Sequence, residues 1–102
     1  MDDAAQPTAD DACRLDVWLY RTRFFKTRTG ATAAILGGKI RLTRFGKTRR
    51  IKKPHALLRI GESVTFMRGT ELVQVEMLAP GTRRGPASEA QTLYQRIDGN
   101  GE

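Results

Sequence analysis

The apolar pattern changes period across Gly37-Gly38, and this change constrains the fold more than any other feature. Before it, Ala31, Ala34 and Ile35 recur at helical spacing behind Thr27, which reads as an N-cap. After it, Ile40 and Leu42 alternate with Arg41 and Thr43, as in a half-buried strand. A double glycine between the two stops the helix, because glycine readily takes the left-handed cap geometry. Gly30 weakens this helix by about 1 kcal/mol relative to alanine but does not erase the pattern. A helix that ends this way and continues directly as a strand must fold back. That return would bring Lys39 and Arg41 toward the loop that carries Lys26, Thr27 and Arg28.

The remaining segments follow the same two periods. Leu15, Trp18, Leu19 and Thr22 share one face of a first helix, expected over 15–24. TRFGKTRRIKKP reads as a basic loop or hairpin with Ile51 turned inward. Residues 60–63, IGES, read as a turn. Val64 and Phe66 lie on one strand, and Val73, Val75 and Met77 on the strand that returns after Arg68-Gly69-Thr70. PGTRRGP breaks the sheet. PASEAQTLYQRI is expected to be a last helix, with Ala90, Leu93, Tyr94 and Ile97 on one side. The expected class is α+β: two N-terminal helices packed on a small antiparallel β-sheet, plus a C-terminal helix. Residues 1–13 form an acidic, aperiodic tail expected to be disordered, and 98–102 a loose tail.

With 102 residues, one domain is the default. No apolar run reaches the roughly 20 residues needed to span a bilayer. The N-terminus lacks the basic and apolar regions of a secretory signal. Cys13 is the sole cysteine, so no internal disulfide can form, and a reducing cytoplasm is the expected location. The net charge is +7, but the ends are acidic. Residues 13–97 hold all 18 Lys and Arg against five acids, a net of +13. Such a field favours polyanions and speeds their capture.

Catalytic chemistry finds little support. His55 is the only histidine, and no carboxylate lies within six residues of it. Asp16, Glu62, Glu71, Glu76 and Glu89 are scattered and form no ligand cluster, so neither a metal nor a cofactor is expected. Polyanion binding is better supported. The free N–H groups at the start of the second helix, with Lys26 and Arg28 beside Thr27, suit a phosphate. KTRRIKK puts five bases into seven residues, with Arg49 and Lys53 on one side of a strand and Arg50 and Lys52 on the other. Phe45 in the same segment is either a stacking platform for an unpaired base or a residue folded beneath the hairpin. The second role is the expectation, since a lone aromatic is a weak signal. Trp18 and Tyr94 are expected in the core. Asp16 either orients a nearby arginine for RNA or is an acid favourably placed in the first turn of helix one; the second is the expectation.

RLDVWLYRTRFFKTRTGATAAILGGKIRL, residues 14–42, resembles the RNA-binding domain named after ribosomal small-subunit protein S-four (the alpha-L fold). KKPHALLRIGESVTF is similar to that family's later strand, and RRGPASEAQTLY, 83–94, resembles the ribosome-associated heat-shock protein 15 family. The resemblance implies an RNA-binding domain over 14–79 and an extension with a helix over 80–97. It implies a grip on structured RNA, with a dissociated large ribosomal subunit still holding a nascent chain on its tRNA as the partner, in a stress response. Carried over by position, Arg14, Arg23, Lys26, Thr27, Arg28, Lys39 and Lys53 would face RNA. Arg41, beside Lys39, and Arg49, Arg50 and Lys52 of the basic segment are further candidates. The chain departs from the family at Leu42-Thr43-Arg44-Phe45-Gly46, which stands where a short Val-Asn-Gly turn is usual. Relatives of this domain also occur in enzymes with separate catalytic domains, for which this chain has no room. The expected role is therefore a monomeric, non-enzymatic binder. The competing roles are a regulator of another structured RNA or of duplex DNA, and an accessory subunit presenting RNA to an enzyme.

Overall fold

The computed structural model describes residues 11–97; the expected loose segments 1–10 and 98–102 lie outside them. The elements follow in the order β1 (Ala12–Arg14), α1 (Leu15–Arg21), α2 (Arg28–Leu36), β2 (Ile40–Arg44), β3 (Lys47–Ile51), β4 (Leu57–Arg59), β5 (Ser63–Arg68), β6 (Glu71–Met77), α3 (Ala87–Ala90) and β7 (Tyr94–Arg96). Five strands form an antiparallel sheet in the order β3-β2-β5-β6-β7, while β1 and β4 pair separately. The class is α+β.

The two periods read from the sequence each bury one face. Leu15, Trp18 and Leu19 of α1 meet Ala31 and Ile35 of α2 and the inward row Ile40, Leu42, Val64, Phe66, Val73 and Val75 of the sheet. Trp18 is fully buried, and its indole N–H donates to the Ala79 carbonyl at 3.0 Å. Thr27, with an extended backbone, accepts the Gly30 N–H on its hydroxyl at 2.9 Å and caps α2 as expected. Gly38 takes a φ of 75° where α2 ends, and the Lys39 N–H returns to the Ala34 carbonyl at 3.0 Å.

Four expectations are corrected. Helix α1 stops at Arg21, three residues early. Arg23 adopts a φ of 69°, which sends Phe24 and Phe25 back against Phe66. Ala12 and Cys13 are not part of a loose tail. They form β1, are buried, and pair with Arg59 and Leu58. The terminal helix is only Ala87–Ala90. Tyr94–Arg96 is instead an edge strand paired with β6, where it meets backbone groups that would otherwise lie open. Finally, the hairpin is real, and Ile51 packs against the core, but Phe45 does not fold under it: that residue is 95% exposed.

The start of α1 depends on a distant segment. Arg14 gives no side-chain cap, and the N–H groups of Leu15 and Asp16 donate to the carbonyls of Ala56 at 2.8 Å and Pro54 at 3.1 Å. This docks residues 53–56 beside the N-terminal ends of both helices.

Candidate nucleic-acid interface

Asp16 organises the N-terminal end of α2. It sits in the first turn of α1, only 2% exposed. Its carboxylate accepts two hydrogen bonds from Arg14, from Nε at 3.1 Å and Nη2 at 2.9 Å. The Thr32 hydroxyl donates to it at 3.4 Å, and Arg28 Nη2 lies 3.6 Å away. A buried carboxylate is costly unless paired, and these partners pair it. Both arginines remain about half exposed. Arg14 is thus held from behind by two hydrogen bonds and Arg28 is drawn in by an ion pair, while about half of each side chain faces solvent. Asp16 lies in the first helical turn, the placement expected from the sequence, and its carboxylate also holds Arg14 and draws in Arg28. Arg14, Arg28, Thr29, Thr32 and His55 line one open hollow here, with Asp16 at its floor. Lys26 is exposed just before the Thr27 cap.

The C-terminal end of α2 meets the hairpin. A Cβ placed on Gly38 would stand 3.0 Å from Arg50 Cδ and 3.3 Å from Lys52 Cε, so these two stems cross the glycine directly. Arg41 lies directly opposite Arg50 in the ladder, on the outer sheet face beside the hydroxyl pair Thr43–Thr48 at 2.7 Å. Arg49 stands opposite Leu42, and Lys47 opposite Arg44. Like charges directly opposite in a ladder repel, and no acid occurs in residues 39–53 to relieve them. Of the eight bases in that stretch, Arg44 has an ion pair with Glu62 among the described residues. Lys39 and Arg41 border a second hollow, floored by Phe66, Met67 and Leu72.

The two ends are joined by the segment that follows β3. It passes Gly38 at Lys52, continues through Lys53, and reaches the N-terminal hollow at Pro54 and His55. Helix α2 is nine residues long, about 14 Å at 1.5 Å per residue. The structure therefore sets Arg14 and Arg28 at one end of α2 and Arg50 and Lys52 at the other, with Lys39 and Arg41 bordering the second hollow and the exposed Lys53 in the connecting segment; together these bases are termed the cationic strip. Arg49 is exposed on the same hairpin, on its inner-facing row.

Arg23 stands elsewhere. Its Nη1 donates to the Gly85 carbonyl at 2.8 Å, on the side held by the C-terminal extension. Arg21 and Arg84 also act there. Arg21 Nη1 donates to the carbonyls of Pro80 at 3.2 Å and Gly81 at 2.8 Å, and it lies 3.6 Å from the Cys13 sulfur. Arg84 Nε donates to the Tyr20 carbonyl at 3.1 Å, with its guanidinium 4.8 Å over the Tyr20 ring. Burial pushes the Cys13 thiol up, and Arg21 opposes this in part. Sequence reasoning missed this seam; its acceptors are backbone carbonyls, which carry no side-chain signature.

Among the described residues, no group of three or more His, Cys, Asp and Glu side chains gathers to hold a metal ion. None of the described helices is long and apolar enough to cross a membrane.

Comparison with known proteins agrees with this geometry. The S4 domain family pattern matches residues 13–42, which hold α1, α2 and the start of β2. The Heat shock protein 15 homolog of Haemophilus influenzae is 32% identical over 90 residues, 88% of this chain and 65% of that protein. Heat shock protein 15 of Escherichia coli K12 is 37% identical over 82 residues, 80% and 58%. The chain thus spans less than two thirds of the length of these relatives. The trimeric structure of Vibrio cholerae Heat Shock Protein 15, at 2.3 Å resolution, superposes with a TM-score of 0.73 at 32% identity, covering 84% of this chain and 82% of that one. The chain belongs to the heat shock protein 15 family and carries that family's S4 domain in its N-terminal part.

Proposed function

We propose that this chain is a non-enzymatic, cytoplasmic RNA-binding protein that acts on ribosomal RNA of the large subunit. Its role is the recycling of dissociated subunits that carry a nascent chain on tRNA after stress. The observation that carries this reading is the cationic strip along α2, from the Asp16-pinned Arg14 and Arg28 to Arg50 and Lys52 over Gly38. Fixed guanidinium groups next to a capped helix N-terminus suit phosphate oxygens. The unrelieved repulsion between Arg41 and Arg50 is removed when a polyanion lies across them. Structured RNA is read mostly by shape and backbone, which a strip of this kind can follow. The outer surface of α2 argues against duplex DNA as the target. Beyond Arg28 at its first position, which is drawn toward Asp16, its exposed residues are Thr29, Gly30, Ala33 and Leu36, none of them an Arg, Asn or Gln that reads base edges.

The test is sedimentation of the full chain with separated large subunits, small subunits and whole ribosomes. The expected result is pelleting chiefly with free large subunits, lost when Lys26→Glu and Arg28→Glu are combined. Equal pelleting with all three particles would remove the ribosomal assignment and leave a general RNA binder. Stronger competition from duplex DNA than from RNA of the same length would favour the DNA reading. Equilibrium sedimentation of the free chain tests the monomer expected here against the trimer seen for the Vibrio protein.

A further inference from the structure

The tip of the β2–β3 hairpin carries the most exposed large apolar side chain of the described residues. Phe45 is 95% exposed. Arg44 pairs with Lys47, so the loop has two residues, Phe45 and Gly46, with φ values of 53° and 76°. That is the type I′ arrangement, for which Asn-Gly or Asp-Gly is the favoured sequence. A bulky residue with positive φ is an outlier. Here it is held by a regular five-residue ladder on each side, and the ring makes no part of the core cluster. Nothing in the packing accounts for a phenylalanine at this place.

Its surroundings indicate a ligand. Lys47 and Arg49 lie on one face of the hairpin, and Arg41 and Arg50 on the other. The latter pair continues into the strip along α2. An exposed aromatic ring flanked by cations suits a chain of phosphates bearing flat heterocycles. The cations follow the backbone, and a base stacks on the ring.

We propose that Phe45 is a stacking site for an unpaired nucleobase, a bulge or loop base in the RNA held by the adjoining strip. The assignment rests on the RNA-binding reading above and names the substrate class more narrowly: a stem with an extruded nucleotide.

Phe45→Asn gives the decisive variant, since Asn-Gly suits the turn and leaves the hairpin formed. The full chain is titrated against two labelled RNA stems, one fully paired and one with a single 2-aminopurine bulge. The wild type is expected to bind the bulged stem about tenfold more tightly and to quench the 2-aminopurine. Phe45→Asn should bind the paired stem as before and lose the preference and the quenching. Phe45→Trp should keep both. A wild type that binds both stems equally, or a preference that survives Phe45→Asn, overturns the stacking assignment and leaves the RNA reading standing. A wild type that binds neither stem, at any salt, removes both. Anionic vesicles that bind the wild type and not Phe45→Asn, with RNA preference unchanged, would assign the ring to a membrane surface instead.

Discussion

Arg21 and Arg84 point their guanidinium groups at backbone carbonyls, whereas Arg41 and Arg50 stand opposite each other in the β2–β3 ladder, with the Arg50 side chain crossing Gly38. All four belong to the same excess of positive charge, yet they do opposite things. In the seam between α1 and the extension, Arg21 and Arg23 donate to the loop carbonyls of Pro80, Gly81 and Gly85, and Arg84 adds a second donor to the Tyr20 carbonyl at the end of α1. At the hairpin end of the strip, Arg41 and Arg50 stand opposite each other and no acid occurs in residues 39–53. Net charge therefore overstates the binding surface. What separates the two groups is the acceptor each head already has.

The largest expected effect comes from the strip. Combining Arg50→Glu with Lys52→Glu should weaken binding of structured RNA by about a hundredfold or more at moderate salt, since two contacts become repulsions. The fold should persist, because a Glu opposite Arg41 replaces a repulsive pair with an attractive one. RNA affinity by anisotropy and thermal melting, measured on the same sample, check both halves. A variant that keeps its affinity would show that the hairpin cations are a solvated face.

Asp16 stands between the two groups, since it is buried yet serves exposed arginines. Asp16→Ala should cost about 1–3 kcal/mol of stability, because it leaves Thr32 and two arginines without their acceptor. RNA affinity should fall severalfold as Arg14 and Arg28 lose their fixed orientation. Chemical denaturation and anisotropy read the two losses separately.

In the seam, Arg84→Ala should lower stability by about 1–2 kcal/mol through the lost hydrogen bond and the contact with the Tyr20 ring. RNA affinity at a temperature where the variant is folded should not change. A loss of affinity with stability intact would move Arg84 into the binding surface. The smallest effect is expected at Glu89. Its hydrogen bond from Arg83 holds the carboxyl below the usual range. A lowered carboxylate pKa stabilises the fold above the unfolded value, roughly 4.3 for glutamate, and that contribution is lost as pH falls through the folded value. The pair is exposed, so Glu89→Gln should barely alter melting at neutral pH and should only slightly flatten its fall in acid.

The sequence makes much of this legible because burial follows period. Ala31 and Ile35 before the double glycine, and Ile40 and Leu42 after it, are all buried. The strip was legible as well, from Thr27 as a cap and from the run of bases at 47–53. What escaped depends on partners distant in sequence. The three residues of β1 carry no pattern of their own and become a strand only beside Leu57–Arg59. Ala90, Leu93, Tyr94 and Ile97 are spaced for a helix, but the edge of β6 competes for the backbone groups of Tyr94–Arg96 and wins. The early end of α1 turns on one left-handed residue, Arg23, whose type gives no hint of it. Phe45 was misplaced for a related reason. Its hydrophobicity argues for burial, while a two-residue loop between paired arms leaves it nowhere to be buried.

The comparison of the two arginine groups is tested most directly by the salt dependence of RNA binding. Affinity for one structured RNA is measured across a salt series for the wild type, for Arg21→Gln with Arg84→Gln, and for Arg50→Gln with Lys52→Gln. The seam variant should keep the wild-type slope of log affinity against log salt. The strip variant should lose about 1.4–1.8 from its magnitude, two phosphate contacts at about 0.7–0.9 each. Equal losses in both variants, or a loss confined to the seam variant, would contradict the division of charge described here.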